Sequence, residues 1–422
     1  MDLLDGAEGG DVENLVTVLD LVRAGAARTR PELARRSGLG RAVISQQLER
    51  LQVAGLIGEG ALAPSTGGRA PRSIEFRADA GVLLVAELGA TSLSAGVTDL
   101  TGRLLAHHEE RFDIAKGPEA ELGRLAQLFD SLLQASGPQR APWGVGVGVP
   151  GPVEFSTGRS VSPPIMPGWH AYPLRDLLAA RFSAPVFIDN DVNLMALGEL
   201  RSGLARGEDH VVYLKIGTGI GAGIICGGRL YRGAQGCAGD VGHVAVEAES
   251  DIVCRCGNHG CLEALAGGAA LARDGTVAAQ SGESAYLAAV LNRGDDVTGE
   301  DISKAAQHGD PVALALLVRT GRLVGEVLAT IVNFYNPRLV LIGGGVATAG
   351  DVLLAAVRES VYRRSLPLAT RHLQIALSPL GDEAGLRGAA AMITDELFSA
   401  ERLARWLPVG SPAGMPELAE AT

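Results

Sequence analysis

A chain of 422 residues with 47% hydrophobic and 20% charged residues is too long for one typical core and too apolar to be chiefly disordered, so two or three globular domains are expected. No apolar run reaches membrane-spanning length, and the acidic start MDLLDGAEGGDVE lacks the basic stretch of a secretory signal; the expectation is a cytoplasmic protein without a membrane partner. The net charge of −11 argues against nucleic acid, yet ten Arg, no Lys, four Glu and no Asp between Arg23 and Arg77 make that segment about +6, and a basic head on an acidic body fits a DNA-binding module joined to a separate domain. A solvated Arg-rich surface is the competing explanation.

Three short helices are predicted first. Asn14–Ala24 places Leu15, Val18, Leu19 and Val22 on one face and stops at Gly25. The next, PELARRSG, has Pro31 in its first turn and Gly38 as its stop. After the turn GLG a longer helix runs from about Arg41 to Ala54. Helix, short glycine turn, helix is the helix-turn-helix pattern. Its second helix would offer Arg41, Ser45, Gln46 and Gln47 to base edges, with Val43, Ile44, Leu48 and Leu51 toward the core. LIGEG and SIEF, on either side of APSTGGRAPR, read as the two strands of a wing whose Arg69 would enter a minor groove. A three-helix protein-interaction module remains the alternative.

From Gly81 the pattern changes. GVLLVAELGATSLSAGVTDLTG reads as a hairpin, and GVGVGVPGPV, APVFIDNDVN, HVVYLKIGTGIGAGIICGG and RLVLIGGGV as buried strands ending in glycine. Helical stretches near residues 119–136, 312–333 and 352–360 intervene, which indicates an α/β fold. Strands before and after about Asp191 suggest two lobes with a cleft between them. Residues after about 400 read as a flexible tail, giving expected units of 1–78, 79–400 and 401–422.

Along the body, Asn190 and Asp191 end the strand PVFID. A carboxylate there can accept the proton of a substrate hydroxyl during phosphoryl transfer, although taken alone the pair reads better as an Asx turn capping the helix that begins near Val192. Gly217, Gly219, Gly221 and Gly223 leave backbone N–H groups accessible to phosphate oxygens, although the segment lacks the ending of a P-loop and steric reasons alone also produce such hairpins. CRCGNHGC supplies Cys254, Cys256 and Cys261, and His243 lies eleven residues upstream. Three thiolates and one imidazole close a tetrahedral zinc site of the structural kind, with His259 as an alternative fourth ligand. Cys226 and Cys237 are expected to be buried small hydrophobes. His107 and His108 have no partner pattern and are assigned to the surface.

In order, the winged-helix pattern, ELGAT, GVPGPV, PGW, IDNDVN, GTGIGAG, AGDVGH, CRCGNHGCLE and LIGGGV resemble the ROK (repressor, open reading frame, kinase) family from about residue 12 to 398. The resemblance implies a two-lobed actin-like ATPase fold of the sugar-kinase type behind a winged helix-turn-helix. It implies a sugar site at Gly151, Asn190, Asp191, Asp240, His243 and Glu263, with Asp191 as catalytic base if the chain is a kinase. His243 would serve zinc with one ring nitrogen and sugar with the other. Glu87, Gly89 and Thr91, then Gly217, Thr218, Gly219 and Gly221, then Gly343, Gly344 and Gly345 correspond to the phosphate and adenosine loops.

Three positions depart from the family pattern. Glu87 replaces an Asp, which moves the carboxylate by about a bond length where Mg²⁺ geometry is exacting. Asp240 stands where Glu is usual, and Pro164 where kinases have Asn. The resulting expectation is a sugar-responsive DNA-binding repressor of carbohydrate-metabolism genes, with operator DNA and a sugar or sugar phosphate as partners, acting as a homodimer or dimer of dimers. The alternative is an ATP-dependent hexose kinase, alone or combined with regulation, which would use Mg²⁺ and ATP.

Overall fold

A computed structural model describes residues 5–62, 72–137 and 141–420. Its first five elements are the helices α1 (Asp5–Arg23), α2 (Arg30–Ser37) and α3 (Arg41–Val53) and the antiparallel strands β1 (Ile57–Leu62) and β2 (Arg72–Phe76). Helix α2 starts where the Thr29 hydroxyl accepts the Glu32 N–H at 3.4 Å and Pro31 occupies the first turn. It stops at Gly38, whose φ of +73° suits glycine and releases the chain into the turn before α3. Leu15, Val18, Leu19 and Val22 are buried with Leu33, Ile44, Leu48 and Leu51, so the predicted apolar faces meet. Arg69 lies outside the described residues.

One residue of the proposed reading helix is misassigned. Gln47 is fully buried; its amide donates to Asp11 Oδ1 at 2.6 Å and its carbonyl accepts Arg50 Nη1 at 3.0 Å. Residues 44, 47, 48 and 51 share a helical face, so Gln47 belongs with the core positions. Arg41, Ser45 and Gln46 are exposed, and Val43 is only half-buried.

The body contains two sheets of the same topology. In the first, β5 (Leu104–Arg111), β4 (Ser92–Asp99) and β3 (Val82–Leu88) form an antiparallel meander, continued in parallel by β6 (Gly144–Val149) and β9 (Val186–Asn190). In the second, β12 (Arg229–Leu230), β11 (Ile220–Cys226) and β10 (His210–Ile216) form the meander, and β13 (Leu339–Gly343) and β14 (Gln374–Leu377) continue it in parallel. A small ribbon, β7 (Val153–Glu154) and β8 (Arg159–Ser160), follows β6. Helices α4 (Pro118–Ala135) and α5 (Leu174–Phe182) complete the first lobe's outer core. In the second lobe α7 (Leu262–Ala266), α8 (Gly268–Ser281), α9 (Ala285–Asn292), α10 (Gly299–Gln307), α11 (Pro311–Tyr335), α12 (Asp351–Arg364) and α13 (Pro367–Thr370) lie between or beside the strands.

Two helices occupy the space between the sheets. These are α6 (Asp191–Ser202), which begins where β9 ends, and α14 (Glu383–Leu397), which returns to pack on β3 and β6. Their buried faces share one core with Leu83 and Val85 of the first sheet, Tyr213 and Leu341 of the second, and the N-terminal helices.

The expected C-terminal tail is folded. Helix α15 (Ala400–Trp406) and the turn Pro416–Ala419 pack on the first lobe and on α1. Trp406 is fully buried, its indole N–H donating to Leu397 O at 2.8 Å and its ring 5.4 Å from Trp143. Arg402 Nε donates to Leu418 O at 2.6 Å. Two large apolar anchors, Trp406 and Leu418, order a segment rich in Ala, Gly, Pro and charged residues by burying themselves against surfaces that lie far away in sequence. Phe398 and Phe76 meet edge-on at 6.1 Å, and Arg23 lies 5.3 Å above Phe398, which joins the N-terminal elements to α14. Among the described residues no helix is long and apolar enough to cross a membrane.

Candidate functional site: the interlobe cleft and its Cys/His cluster

Between the two sheets opens a cleft of about 1290 Å³, larger than a single hexose requires. Each predicted loop reaches it from the end of a strand. Gly89, Ala90 and Thr91 form the tight turn between β3 and β4, closed by Gly89 N–H donating to Ser92 O at 2.7 Å. Gly151 follows β6, and Asn190 and Asp191 mark the passage from β9 to α6. Gly217, Thr218 and Gly219 turn β10 into β11, where Gly221 follows; Gly344 and Gly345 follow β13. Pro164 also lines the cleft. Gly343 does not: it lies beneath, against the Tyr213 ring.

Of the two roles its sequence context allows, the Asn190–Asp191 pair makes the helix cap, and it also lines the cleft. Asn190 Oδ1 caps α6 by accepting Val192 N–H at 2.9 Å and Asn193 N–H at 3.3 Å, while its amide donates to Gly151 O at 3.1 Å. Asp191 Oδ1 also accepts Val192 N–H at 2.9 Å. Beneath them Asp189, 1% exposed, accepts Asn190 N–H at 2.7 Å, the Asn193 amide at 2.8 Å and Arg232 Nε at 2.7 Å. Arg232 stacks 3.8 Å over Phe155. This buried Asp189–Arg232 pair, invisible in the sequence, fixes the strand end that carries the site.

On the opposite wall Glu263 accepts Ile220 N–H at 3.1 Å through Oε2. The carboxylate comes so close to the β10–β11 turn that a Cβ at Gly219 would collide with it, which is a steric reason for glycine there. That turn also gives its carbonyls to α8: Gly268 N–H donates to Gly217 O at 2.7 Å and Ala269 N–H to Thr218 O at 3.0 Å.

A second signal was missed altogether. Lys215, the one charged residue within the apolar run of β10 from Val211 to Ile216, sends its ammonium 2.7 Å from Asp191 Oδ2 and 3.0 Å from Glu87 Oε1. Burial pushes the Glu87 carboxyl up, against the pull of Lys215. Burial also works against the Lys215 charge, but Asp191 and Glu87 more than reverse it and hold the ammonium above the ordinary lysine range. A lone lysine in a strand otherwise suited to burial was the available clue.

At the rim, one ligand atom each from His243, Cys254, Cys256 and Cys261 lie within 4.8 Å of one another. His243 Nδ1 is 3.5 Å from Cys254 Sγ, and its Nε2 is 3.9 Å from Asp240 Oδ1 on the cleft side. The ring therefore turns one nitrogen to the thiols and the other toward the cleft. His259 is exposed and outside the cluster, so the four donors settle on His243. Burial pushes the Cys254 thiol up and the Cys261 thiol up to about 12, while the Asn258 N–H holds Cys256 down. Three sulfurs and an imidazole at this spacing fit a tetrahedral divalent ion, whose binding would displace the thiol protons. Cys226 and Cys237 are both exposed, contrary to their expected burial. They lie at a strand end and in a glycine-rich loop, where no apolar surface covers them.

Residues 84–396 match the ROK family. The chain belongs to the ROK family. Its body has the sugar-kinase-like, actin-type fold of that family. A glucokinase of Thermotoga maritima is 33% identical over 315 residues, which is 75% of this chain and 98% of the glucokinase. A putative xylose repressor of a Caldicellulosiruptor species is 31% identical over 391 residues, 92% of this chain and 96% of the repressor. A crystal structure of a ROK family transcriptional regulator, a homologue of the Escherichia coli Mlc protein, superposes with a TM-score of 0.81 at 27% identity, covering 95% of this chain and all of that one.

Proposed function

We propose that this ROK protein is a sugar-responsive repressor of carbohydrate-metabolism genes. The observation that carries the reading is coverage. The Mlc homologue and the xylose repressor span 95% and 92% of this chain, whereas the glucokinase is nearly complete within 75% of it. What the regulators share beyond the kinase-like body includes chain on the scale of the basic N-terminal elements. There α2 and α3 form the helix pair, β1 and β2 the wing, and Arg41, Ser45 and Gln46 stand exposed on the early turns of α3, suited to base edges of operator DNA. Arg69, which falls between β1 and β2 in the sequence and outside the described residues, is the remaining proposed DNA contact. Residues 1–78 act as the DNA-binding unit and the body as the effector-binding unit.

In this reading Asn190, Asp191, Glu263, His243, Asp240 and the Gly151 backbone hold sugar hydroxyls. Structural zinc on His243, Cys254, Cys256 and Cys261 fixes the imidazole that faces the sugar. The working species is a dimer in the cytoplasm. The deciding experiment titrates the full chain against its own upstream DNA, with D-xylose, D-glucose and a wider sugar panel as effectors. A sugar that shifts operator affinity supports the reading; no operator binding in any condition overturns it. The glucokinase likeness favours a second reading, an ATP-dependent hexose kinase using Asp191 as base. ATP consumption followed in the same samples at the ordinary kinase rate of about 1–100 per second would put that reading first.

A further inference from the structure

Inside the cleft one cation links the two lobes and the crossing helix α6. Glu87 comes from β3 of the first sheet, Asp191 opens α6, and Lys215 comes from β10 of the second sheet. Glu87 and Asp191 are 8% and 4% exposed, and the Lys215 ammonium lies between them at 3.0 and 2.7 Å. Two carboxylates buried on one site repel each other unless a positive charge stands between them. Asp191 Oδ1 also accepts Val192 N–H, and Glu87 Oε2 lies close against Gly385 at the start of α14.

Phosphoryl transfer in such a cleft needs these two carboxylates otherwise disposed. Asp191 would need an oxygen directed at the sugar hydroxyl whose proton it takes, and a divalent cation with its nucleotide phosphates would need open carboxylate oxygens in octahedral geometry. The residues present do not fit a cation held between Glu87 and Asp191, because an ammonium already occupies that space.

We infer that Lys215 is a built-in counter-cation that takes the place of a metal–nucleotide between Glu87 and Asp191, so that the cleft assembles around a sugar without metal or nucleotide and holds it as a ligand. The inference deepens the sugar-sensing reading above, but its first test needs neither sugar nor DNA. Lys215 then acts as a positioning residue. It holds Asp191 by a hydrogen bond, and it ties the second sheet to the first lobe through charge.

The probe is Mn²⁺, which prefers carboxylate oxygen, followed by water-proton relaxation in zinc-saturated full-length protein. Wild type is expected to show no cleft site, whereas Lys215→Met gains one site per chain, at least about tenfold tighter than any site in wild type. Adding Glu87→Gln to that variant should abolish the gain. Equal Mn²⁺ binding by wild type and Lys215→Met, or a gain unaffected by Glu87→Gln, overturns the inference. Should Lys215→Met fail to fold, the double variant decides. If Lys215→Met/Glu87→Gln folds, charge compensation is the role of Lys215; if it also fails, Lys215 serves packing and the inference is wrong. A calorimetric arm with D-xylose and D-glucose follows. Where wild type binds either sugar, Lys215→Met should weaken it and Mn²⁺ should restore it. Failure of both sugars in wild type would count against the sugar reading and leave the cation result standing.

Discussion

His243 serves two places at once, with Nδ1 toward the thiols and Nε2 toward the cleft. Metal-bound imidazoles are fixed in tautomer and orientation by their second nitrogen's surroundings, and the reverse also holds. Cys256→Ser should therefore lower zinc content from about one per chain and weaken the sugar response in parallel. Metal analysis and effector titration check this together; a full sugar response in zinc-free protein would break the coupling. The two neighbouring glutamines of α3 give a second contrast. Gln46 is exposed, and Gln46→Ala should relax operator sequence preference by about 1–3 kcal/mol without affecting folding. Gln47 is buried on Asp11 and Arg50, so Gln47→Ala should cost on the order of 1–3 kcal/mol of stability, because it removes a hydrogen bond to each of two charged partners that remain paired with each other. Chemical denaturation and a binding-site selection separate the two outcomes.

Among the elements, α6 and α14 matter most because each touches the cleft at one end and the N-terminal helices' side at the other. Helix α6 begins at Asp191 and carries Arg201 in its last turn, whose Nη2 lies 2.6 Å from Asp395 Oδ2 on α14. The other oxygen of Asp395 is 3.2 Å from Arg23 Nη2 at the end of α1. One carboxylate thus joins the cleft helix to the first helix of the proposed DNA-binding unit, and Phe398 adds an apolar joint with Phe76 beside it. Asp395→Asn should leave sugar affinity nearly unchanged while reducing the sugar-dependent shift in operator affinity, which for coupled sites is typically about 5–150-fold. Calorimetry and operator titration on the same preparation read both quantities. An unaltered shift would remove Asp395 from the coupling. The C-terminal segment is ordered rather than a tail for a related reason. It is rich in Ala, Gly, Pro and charged residues, and its order comes from Trp406 and Leu418 finding a surface that includes Trp143.

For the whole molecule, the proposed dimer presents two basic heads, and two-fold symmetry carries over to the DNA. Nuclease protection of the upstream region should show a pseudo-palindromic site whose half-sites lie one helical turn or a multiple apart. A single unpaired half-site would argue for a monomeric reader. The basic segment around residues 23–77 should also make this binding strongly salt-dependent, despite the chain's net charge of −11.

Sequence alone determined what is local and periodic. The helix pair came from apolar spacing and from Pro31 and Gly38. The strands came from apolar runs ending in glycine, and the metal cluster from three cysteines within eight residues and a nearby histidine. In each case the partners are close in sequence, or the pattern itself is the signal. Tertiary structure alone decided which polar groups meet. Lys215 finds Glu87 from 128 residues away and Asp191 from 24, Arg23 finds Asp395 from 372 away, and Trp406 finds Trp143 across the first lobe. Such pairs have no repeat or spacing to reveal them. Charge and burial act through space, and only the folded chain brings those side chains within reach of one another.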